Sequence, residues 1–300
     1  MQSRRPYNAD VMTTPANTSR KTWNQLLLVG VGLLGGSIAA AVRQAGLAKN
    51  IVGVGRNPER LQAAQQAGLI DSYSTDLPST AAESDFVIVC TPVGRVVADI
   101  LTAATACKPE TRLTDVGSVK ATICSELQIQ LPEGHSFIGS HPLAGSEKQG
   151  FEHACPNLFN NRTCIVTPDE NSSSGALKDI KQFWKSLGMH VLEMSAKCHD
   201  IAIAETSHTP HVVSAALAAM LASENQPLTS TGFRDTTRIA AGSPDLWVDI
   251  LLSNGKAISE SLRTYTDRLN EFQNAIADGD ATTLKKLLQE AKTNRDSLNT

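Results

Sequence analysis

Four groups of residues in this chain have types and spacings that could do chemistry. Gly30-Val31-Gly32-Leu33-Leu34-Gly35 has the G-x-G-x-x-G spacing of a loop that binds the pyrophosphate of a dinucleotide. His141, in Gly139-Ser140-His141-Pro142, is an imidazole on a candidate exposed loop, able to take a proton near neutral pH. Arg238 carries a guanidinium fork, which matches a carboxylate in two parallel bonds. His199-Asp200 and Ser207-His208-Thr209-Pro210-His211 gather ionisable side chains in a stretch otherwise rich in Ala, Leu and Ser. His208 and His211 would share one helix face, and His199 or Asp200 could add a third ligand. No established metal spacing such as H-E-x-x-H is present, and zinc would leave the glycine loop unexplained. No metal is expected.

The elements that must position these groups can be read from hydrophobic periodicity. Leu26-Leu27-Leu28-Val29 is an apolar run too short for a buried helix, and it ends at Gly30, as a central parallel strand should. A helix over Ser37–Ala45 follows, then the run Ile51–Val54, a helix over Glu59–Ala67, and the run Phe86–Cys90. Further strands are expected near Arg112–Thr114, Ser136–Ile138 and Thr163–Val166, with Met189–Leu192 closing the series. Strands alternating with helices imply an α/β Rossmann fold with a doubly wound, mostly parallel sheet.

The glycine loop thus has a strand before it and a helix after it. Gly30 permits the tight turn, Gly32 the approach of the pyrophosphate, and Gly35 close helix–sheet packing. Leu33 and Leu34 lie within the loop, and Thr91 and Pro92 follow the run Phe86–Cys90; both pairs join the expected cofactor contacts. An NAD-preferring chain places Asp or Glu ~20 residues on. Here Gly55 stands at that place and Arg56 follows it. Without the carboxylate a 2′-phosphate is not repelled, and Arg56 could hold it, so NADP is the expected cofactor, with NAD possible.

After about Ser195 the strand signal disappears and helical periodicity runs to the end. Ile258, Leu262, Tyr265, Leu269, Phe272 and Ile276 form a seam that suits packing against a second copy of the chain or within its own domain. Asp280 is placed to cap a last helix, Ala281–Ser297. The expected layout is a disordered tail at 1–22, a Rossmann domain at 23–194 and an all-α substrate and dimerisation domain at 195–300. Either that tail is translated or Met12 is the start.

Composition narrows the function classes. With 27 basic and 30 acidic residues the net charge of −3 gives no reason to expect nucleic acid or a membrane surface as partner. The longest apolar stretch, around Val212–Ala222, is far short of the ~20 residues of a membrane span. The six cysteines show no C-x-x-C spacing, and no signal peptide precedes Trp23, so the cytoplasm is the expected compartment.

Four segments besides the glycine loop are unusual for plain scaffold: Thr114-Asp115-Val116-Gly117-Ser118-Val119-Lys120; Gly139-Ser140-His141-Pro142-Leu143-Ala144-Gly145-Ser146-Glu147-Lys148; His199-Asp200 with Ser207–His211; and Gly232–Ala240. In this order and at this spacing, the set resembles the prephenate and arogenate dehydrogenases of tyrosine biosynthesis. The resemblance runs from Leu26 to about Asn274. It implies oxidative decarboxylation of a cyclohexadienol, with hydride leaving ring C4 for nicotinamide, and a homodimer built by the helical domain. It also implies roles: His141 as the base beside the C4 hydroxyl, Ser118 bonded to that histidine near the nicotinamide, and Arg238 and His211 on the substrate. Arg234 is assigned to the substrate or to the partner subunit. Glu147 is assigned to gate the pocket, and Asp200 to the side chain, where it could favour the ammonium of arogenate. His199 and His208 keep two readings, orienting neighbours or capping helices. The expected activity is prephenate dehydrogenase; the alternatives are an NADP-dependent arogenate dehydrogenase, another Rossmann-plus-helical reductase, and an NADP-binding regulatory protein without turnover.

Overall fold

The computed structural model describes residues 21–145 and 148–298. Met12 and nearly all of the expected tail lie outside these. Lys21, expected in that tail, is instead tied down: its Nζ donates to Asp179 at 2.6 Å and sits 4.0 Å over the Trp23 ring.

Eight strands form one sheet: β1 (Trp23–Val29), β2 (Ala48–Val54), β3 (Ser72–Ser74), β4 (Phe86–Val89), β5 (Arg112–Asp115), β6 (Phe137–Pro142), β7 (Thr163–Thr167) and β8 (His190–Glu193). The spatial order is β3-β2-β1-β4-β5-β6-β7-β8. Because side chains alternate across a strand, a run of four apolar residues supplies two opposite cores. Leu26 and Leu28 enter one core with Ile38, Phe86 and Trp184, while Leu27 and Val29 enter the other with Val87, Ile100 and Leu113. The chain leaves β1 for β2 on one side and returns to β4 on the other. This opens a crevice between the carboxyl ends of β1 and β4, the place where such sheets bind ligands.

Helices α1 (Leu33–Ala45), α2 (Pro58–Gln66), α3 (Leu77–Ala82), α4 (Val93–Ala104), α5 (Ala121–Gln130) and α6 (Ser174–Ser186) cover the sheet. Two elements depart from the sequence expectation. α1 starts at Leu33 rather than Ser37, so its free amides lie at the glycine loop itself. β3, with the sequence Ser-Tyr-Ser, has no apolar signature; it exists because the edge of β2 offers it hydrogen bonds.

The sheet is parallel except where β6 meets β7. β6 pairs with β5 only at Phe137 and Ile138, then runs on and pairs antiparallel with β7 through Pro142. His141 therefore sits on a strand, opposite Ile165, and not on the loop the sequence suggested. The Gly-Ser pair before it is strand backbone, not a turn.

The remainder is helical: α7 (Ala196–Ile203), a π turn at Ala204–His208, then α8 (Thr209–Ala219), α9 (Thr231–Thr237), α10 (Pro244–Ser253), α11 (Gly255–Ala277) and α12 (Ala281–Ser297). Asp280 caps α12 as expected, accepting from the amides of Thr282 and Thr283. In the α11 seam Ile258 is buried within the chain, but Leu269 and Ile276 are 49% and 66% exposed.

Gly35 packs so tightly against the turn that a Cβ would stand 2.1 Å from the Gly30 carbonyl oxygen. Gly35→Ala must displace the loop, and its affinity for dinucleotide, read by fluorescence titration, is expected to fall by at least about tenfold.

Candidate active site

The first part of the site is the crevice at the end of β1. Gly30 adopts φ +95°, and a Cβ there would press on the Cys90 carbonyl at 3.1 Å. This brings the glycine loop against the segment Cys90–Pro92 after β4. Gly32, the N-cap of α1, has no side-chain cap, and the space where its Cβ would lie is open. Bare amides facing open space at a helix N-terminus suit a pyrophosphate. Thr91 is held by the buried Asp99, which accepts from its hydroxyl at 2.7 Å. After β2, Gly55 leaves no carboxylate, and Arg56 is exposed with no ion pair to a described residue. The residues fit a pyridine dinucleotide.

The second part is a chain of buried polar groups below His141. Asp115, at the end of β5, and Lys120 are both fully buried and ion-paired. Asp115 Oδ1 accepts from the Ser140 amide at 3.1 Å, and Oδ2 accepts from the Gly117 amide at 2.8 Å. The Ser140 hydroxyl oxygen in turn accepts from Trp184 Nε1 at 3.0 Å. The residue before His141 is thereby bolted to β5 and α6. Asp200, from α7, reaches across to the start of α5. Its Oδ1 accepts from the Lys120 amide at 2.8 Å and its Oδ2 from the Ala121 amide at 2.9 Å. A carboxylate there satisfies two orphan amides and opposes the positive end of the helix.

The same Asp200 Oδ1 lies 2.8 Å from His199 Nδ1, and His199 Nε2 lies 2.8 Å from His141 Nδ1. The carboxylate can only accept, so His199 Nδ1 donates. In the neutral ring Nε2 then accepts, and His141 Nδ1 donates to it. This leaves a lone pair on His141 Nε2. Burial holds the His141 imidazole well below its ordinary pKa, and the Lys120 ammonium and the nearby rings of His199 and His208, which would repel a second positive charge, push the same way. It is a neutral base at physiological pH.

The third part is a cavity of about 790 Å³ between the sheet and the helical region. Of the expected site residues, Ser118, His141, His211 and Arg238 all line it. Ser118 makes no hydrogen bond to His141 among the described residues; the partner of that ring is His199. Asp200, expected at the substrate, is not among the residues that line the cavity: both its oxygens are occupied by amides and His199. Arg234 also stays outside, near the Thr229 hydroxyl at 3.4 Å, on the exposed face of α9. Glu147 lies outside the described residues.

Sequence reasoning missed Lys148, Arg162 and Trp247, which also line the cavity. Trp247 stacks on His211 with ring centroids 3.4 Å apart and planes 9° from parallel. A Cβ on Gly242 would stand 2.5 Å from Trp247 Nε1, so that glycine makes room for the stack. Lys148 closes the segment Gly139–Lys148 but carried no assigned role, and Arg162 had no local motif to mark it. The return of the chain from β6 to β7 brings both to the cavity that Arg238 also lines.

Two family models match the chain: the prephenate dehydrogenase nucleotide-binding domain over residues 38–193 and the prephenate dehydrogenase dimerization domain over residues 195–290. The chain belongs to the prephenate dehydrogenase family. A prephenate dehydrogenase of Bacillus subtilis is 35% identical over 91% of this chain and 76% of its own length. The prephenate dehydrogenase of A. aeolicus, solved with hydroxyphenyl propionate and NAD+, superposes with a TM-score of 0.86 at 32% identity, covering 92% of this chain and 98% of that one. An arogenate dehydrogenase of Synechocystis superposes with a TM-score of 0.78 at 30% identity, over 91% of this chain and 99% of the other. Like other prephenate dehydrogenases, the chain is an oxidoreductase, with a pyridine nucleotide as its cofactor. Among the described residues no helix is long and apolar enough to cross a membrane, and no cluster of ligands is arranged for a metal ion.

Asp200→Asn puts an NH2 group where an acceptor is needed, against either the Ala121 amide or His199. With the carboxylate gone, the proton order along His199 and His141 is no longer fixed, and kcat is expected to fall by about 10²–10⁴ with dinucleotide affinity retained. Stability should also depend on pH. Burial lowers His208 to about 4 and also lowers His141 and His211, while in the unfolded chain each titrates near ~6.5. Below ~6.5 the unfolded chain therefore binds more protons than the folded one, so stability is lost as pH falls. The melting temperature should be lower at pH 5 than at pH 7; an unchanged value would contradict neutral, buried histidines.

Proposed function

We propose that this chain is a prephenate dehydrogenase, converting prephenate to 4-hydroxyphenylpyruvate and CO2 in tyrosine biosynthesis. One observation carries the choice of substrate class: Lys148, Arg162 and Arg238 all line the cavity. Three cationic side chains around one cavity suit an acid with two carboxylates, one of which Arg238 can hold through its fork. An ammonium-bearing side chain would need an acidic partner, and Asp200, the residue that could have served, is occupied elsewhere.

The bound nicotinamide supplies a hydride acceptor; the chain's own residues do the rest. His141 Nε2 accepts the proton of the C4 hydroxyl as hydride leaves C4. Departure of CO2 returns its bonding electrons to the ring, which becomes aromatic, and His141 gives its proton back to the phenolate oxygen. Arg238 holds a substrate carboxylate through its fork, and Ser118 lies on the cavity wall, where it can contact the nicotinamide or the hydroxyl. Trp247 and His211 form an aromatic wall against the ring. The Asp200–His199 chain steadies the imidazolium that forms midway, as a carboxylate does behind a catalytic histidine.

NADP is the proposed cofactor, supported by Gly55 and by the exposed Arg56, which has no ion pair among the described residues, just after β2. The cofactor contacts are assigned to Gly30, Gly32, Leu33, Leu34, Gly35, Arg56, Thr91 and Pro92. Arg234 is proposed to act outside the cavity, at a subunit contact. We place the domain junction at Met194–Ser195, after β8 and before α7. The exposed Leu269 and Ile276 of the α11 seam suit a homodimer made by the helical domain. The cytoplasm is the proposed compartment, in keeping with six free cysteines.

The test is a spectrophotometric matrix of prephenate and arogenate against NAD and NADP, with His141→Asn beside the wild type. The highest rate is expected with prephenate and NADP, and His141→Asn should lower kcat by roughly 10²–10⁴ while still binding the dinucleotide. Four blank combinations from a folded, NADP-binding protein would favour the regulatory reading without turnover.

A further inference from the structure

His208 is left half-bonded in a buried place. It ends the π turn Ala204–His208, which joins α7 to α8, and with Thr206, Ser207, Pro210 and His211 it forms one wall of the cavity. Single π turns inside helices are frequent at functional sites. His208 is 1% exposed, and its Nε2 is a buried nitrogen without a hydrogen-bond partner among the described residues. Such orphans are rare in folded proteins because each forfeits a bond it had in water.

The neighbours of His208 decide what that nitrogen carries. Asn254, itself buried, places Nδ2 2.8 Å from the Asp200 carbonyl oxygen and 3.1 Å from His208 Nδ1. A carbonyl oxygen only accepts, so the amide must turn its NH2 toward it. The same NH2 can then only donate to His208, so Nδ1 carries the lone pair and the proton sits on Nε2. Around His208, the Asp200 carboxylate favours protonation and the titratable rings of His199 and His211 oppose it; burial is the largest effect and the ring stays neutral. The result is a neutral N–H donor of fixed polarity, carried by a residue that lines the cavity but itself buried.

We propose that His208 is a substrate-binding residue that donates its Nε2–H to an oxygen of the bound cyclohexadienol acid, with Asn254 as the positioning residue that fixes the donor tautomer. This rests on the prephenate reading above. His208 thus differs in kind from His141, which presents an acceptor, although Asp200 orders both: its carboxylate through His199, its carbonyl through Asn254.

The test is nitrogen-15 NMR of the histidine side chains in the full-length protein, with His208→Gln used for assignment. At neutral pH the His208 Nε2 signal should be that of a protonated nitrogen, and it should shift when hydroxyphenyl propionate and NAD+ saturate the protein. Asn254→Asp places a carboxylate against Nδ1, draws the proton there and should remove the Nε2–H signal. The same variant should raise KM for prephenate by at least about tenfold, more than it lowers kcat, as loss of a ground-state contact does. His208→Leu should raise KM similarly, and His208→Gln, which keeps a donor, should raise it less. A wild type that turns over prephenate, but whose Nε2 signal stays fixed on saturation with hydroxyphenyl propionate, overturns this inference and leaves the reaction standing. A wild type that neither turns over prephenate nor binds the analogue overturns both.

Discussion

The carboxylate of Asp200 at the N-terminus of α5 is the contact on which the site depends. It comes from the first helix of the helical region and caps the first helix after β5, so the two halves of the chain are joined through one buried and one part-buried hydrogen bond. A helix N-terminus is an anion site because its first amides lack partners and its dipole is positive there. Most proteins fill such a place with a local Ser, Thr or Asp. Here Lys120 occupies the N-cap position without a side-chain cap, and the anion is supplied from 80 residues along the chain. Local sequence leaves the helix uncapped, and tertiary structure completes it.

This arrangement couples rigidity to protonation. The Asp200 carboxylate that caps α5 also fixes His199, and through it the tautomer of His141. Beneath them the buried Asp115–Lys120 pair is tied to the backbone of Ser140 and Gly117. A buried ion pair contributes little to stability by itself, because desolvation offsets its attraction. Its effect here is geometric and electrostatic: it anchors the strand that carries His141 and sets a positive charge near that ring. A base held neutral by burial and by nearby cations is available at physiological pH, at the expense of lower basicity.

Much of the fold was legible in the sequence because its signals are local. Leu26–Val29 and Phe86–Cys90 are apolar on both sides, which only a doubly covered strand requires, and the glycines after β1 announce a turn that no side chain could enter. His141 and Arg238 were legible through the run of motifs around them. Lys148, Arg162 and Trp247 were not, because their neighbours on the cavity wall come from distant elements. Asp200 was legible as a residue of interest but misread in role: an acidic residue beside a histidine gives no sign of which amides it will meet.

What the sequence determined, then, was most of the elements and the types of residue that meet at the cavity, since periodicity and residue type are properties of short segments. The tertiary structure decided how those groups are oriented. His141 gained a strand in place of a loop because β6 outruns β5 and finds β7 antiparallel. The proton positions on His141, His199 and His208 follow from partners on α7 and from Asn254. A hydrogen bond depends on distance and direction between atoms far apart in the chain, and no local pattern encodes either.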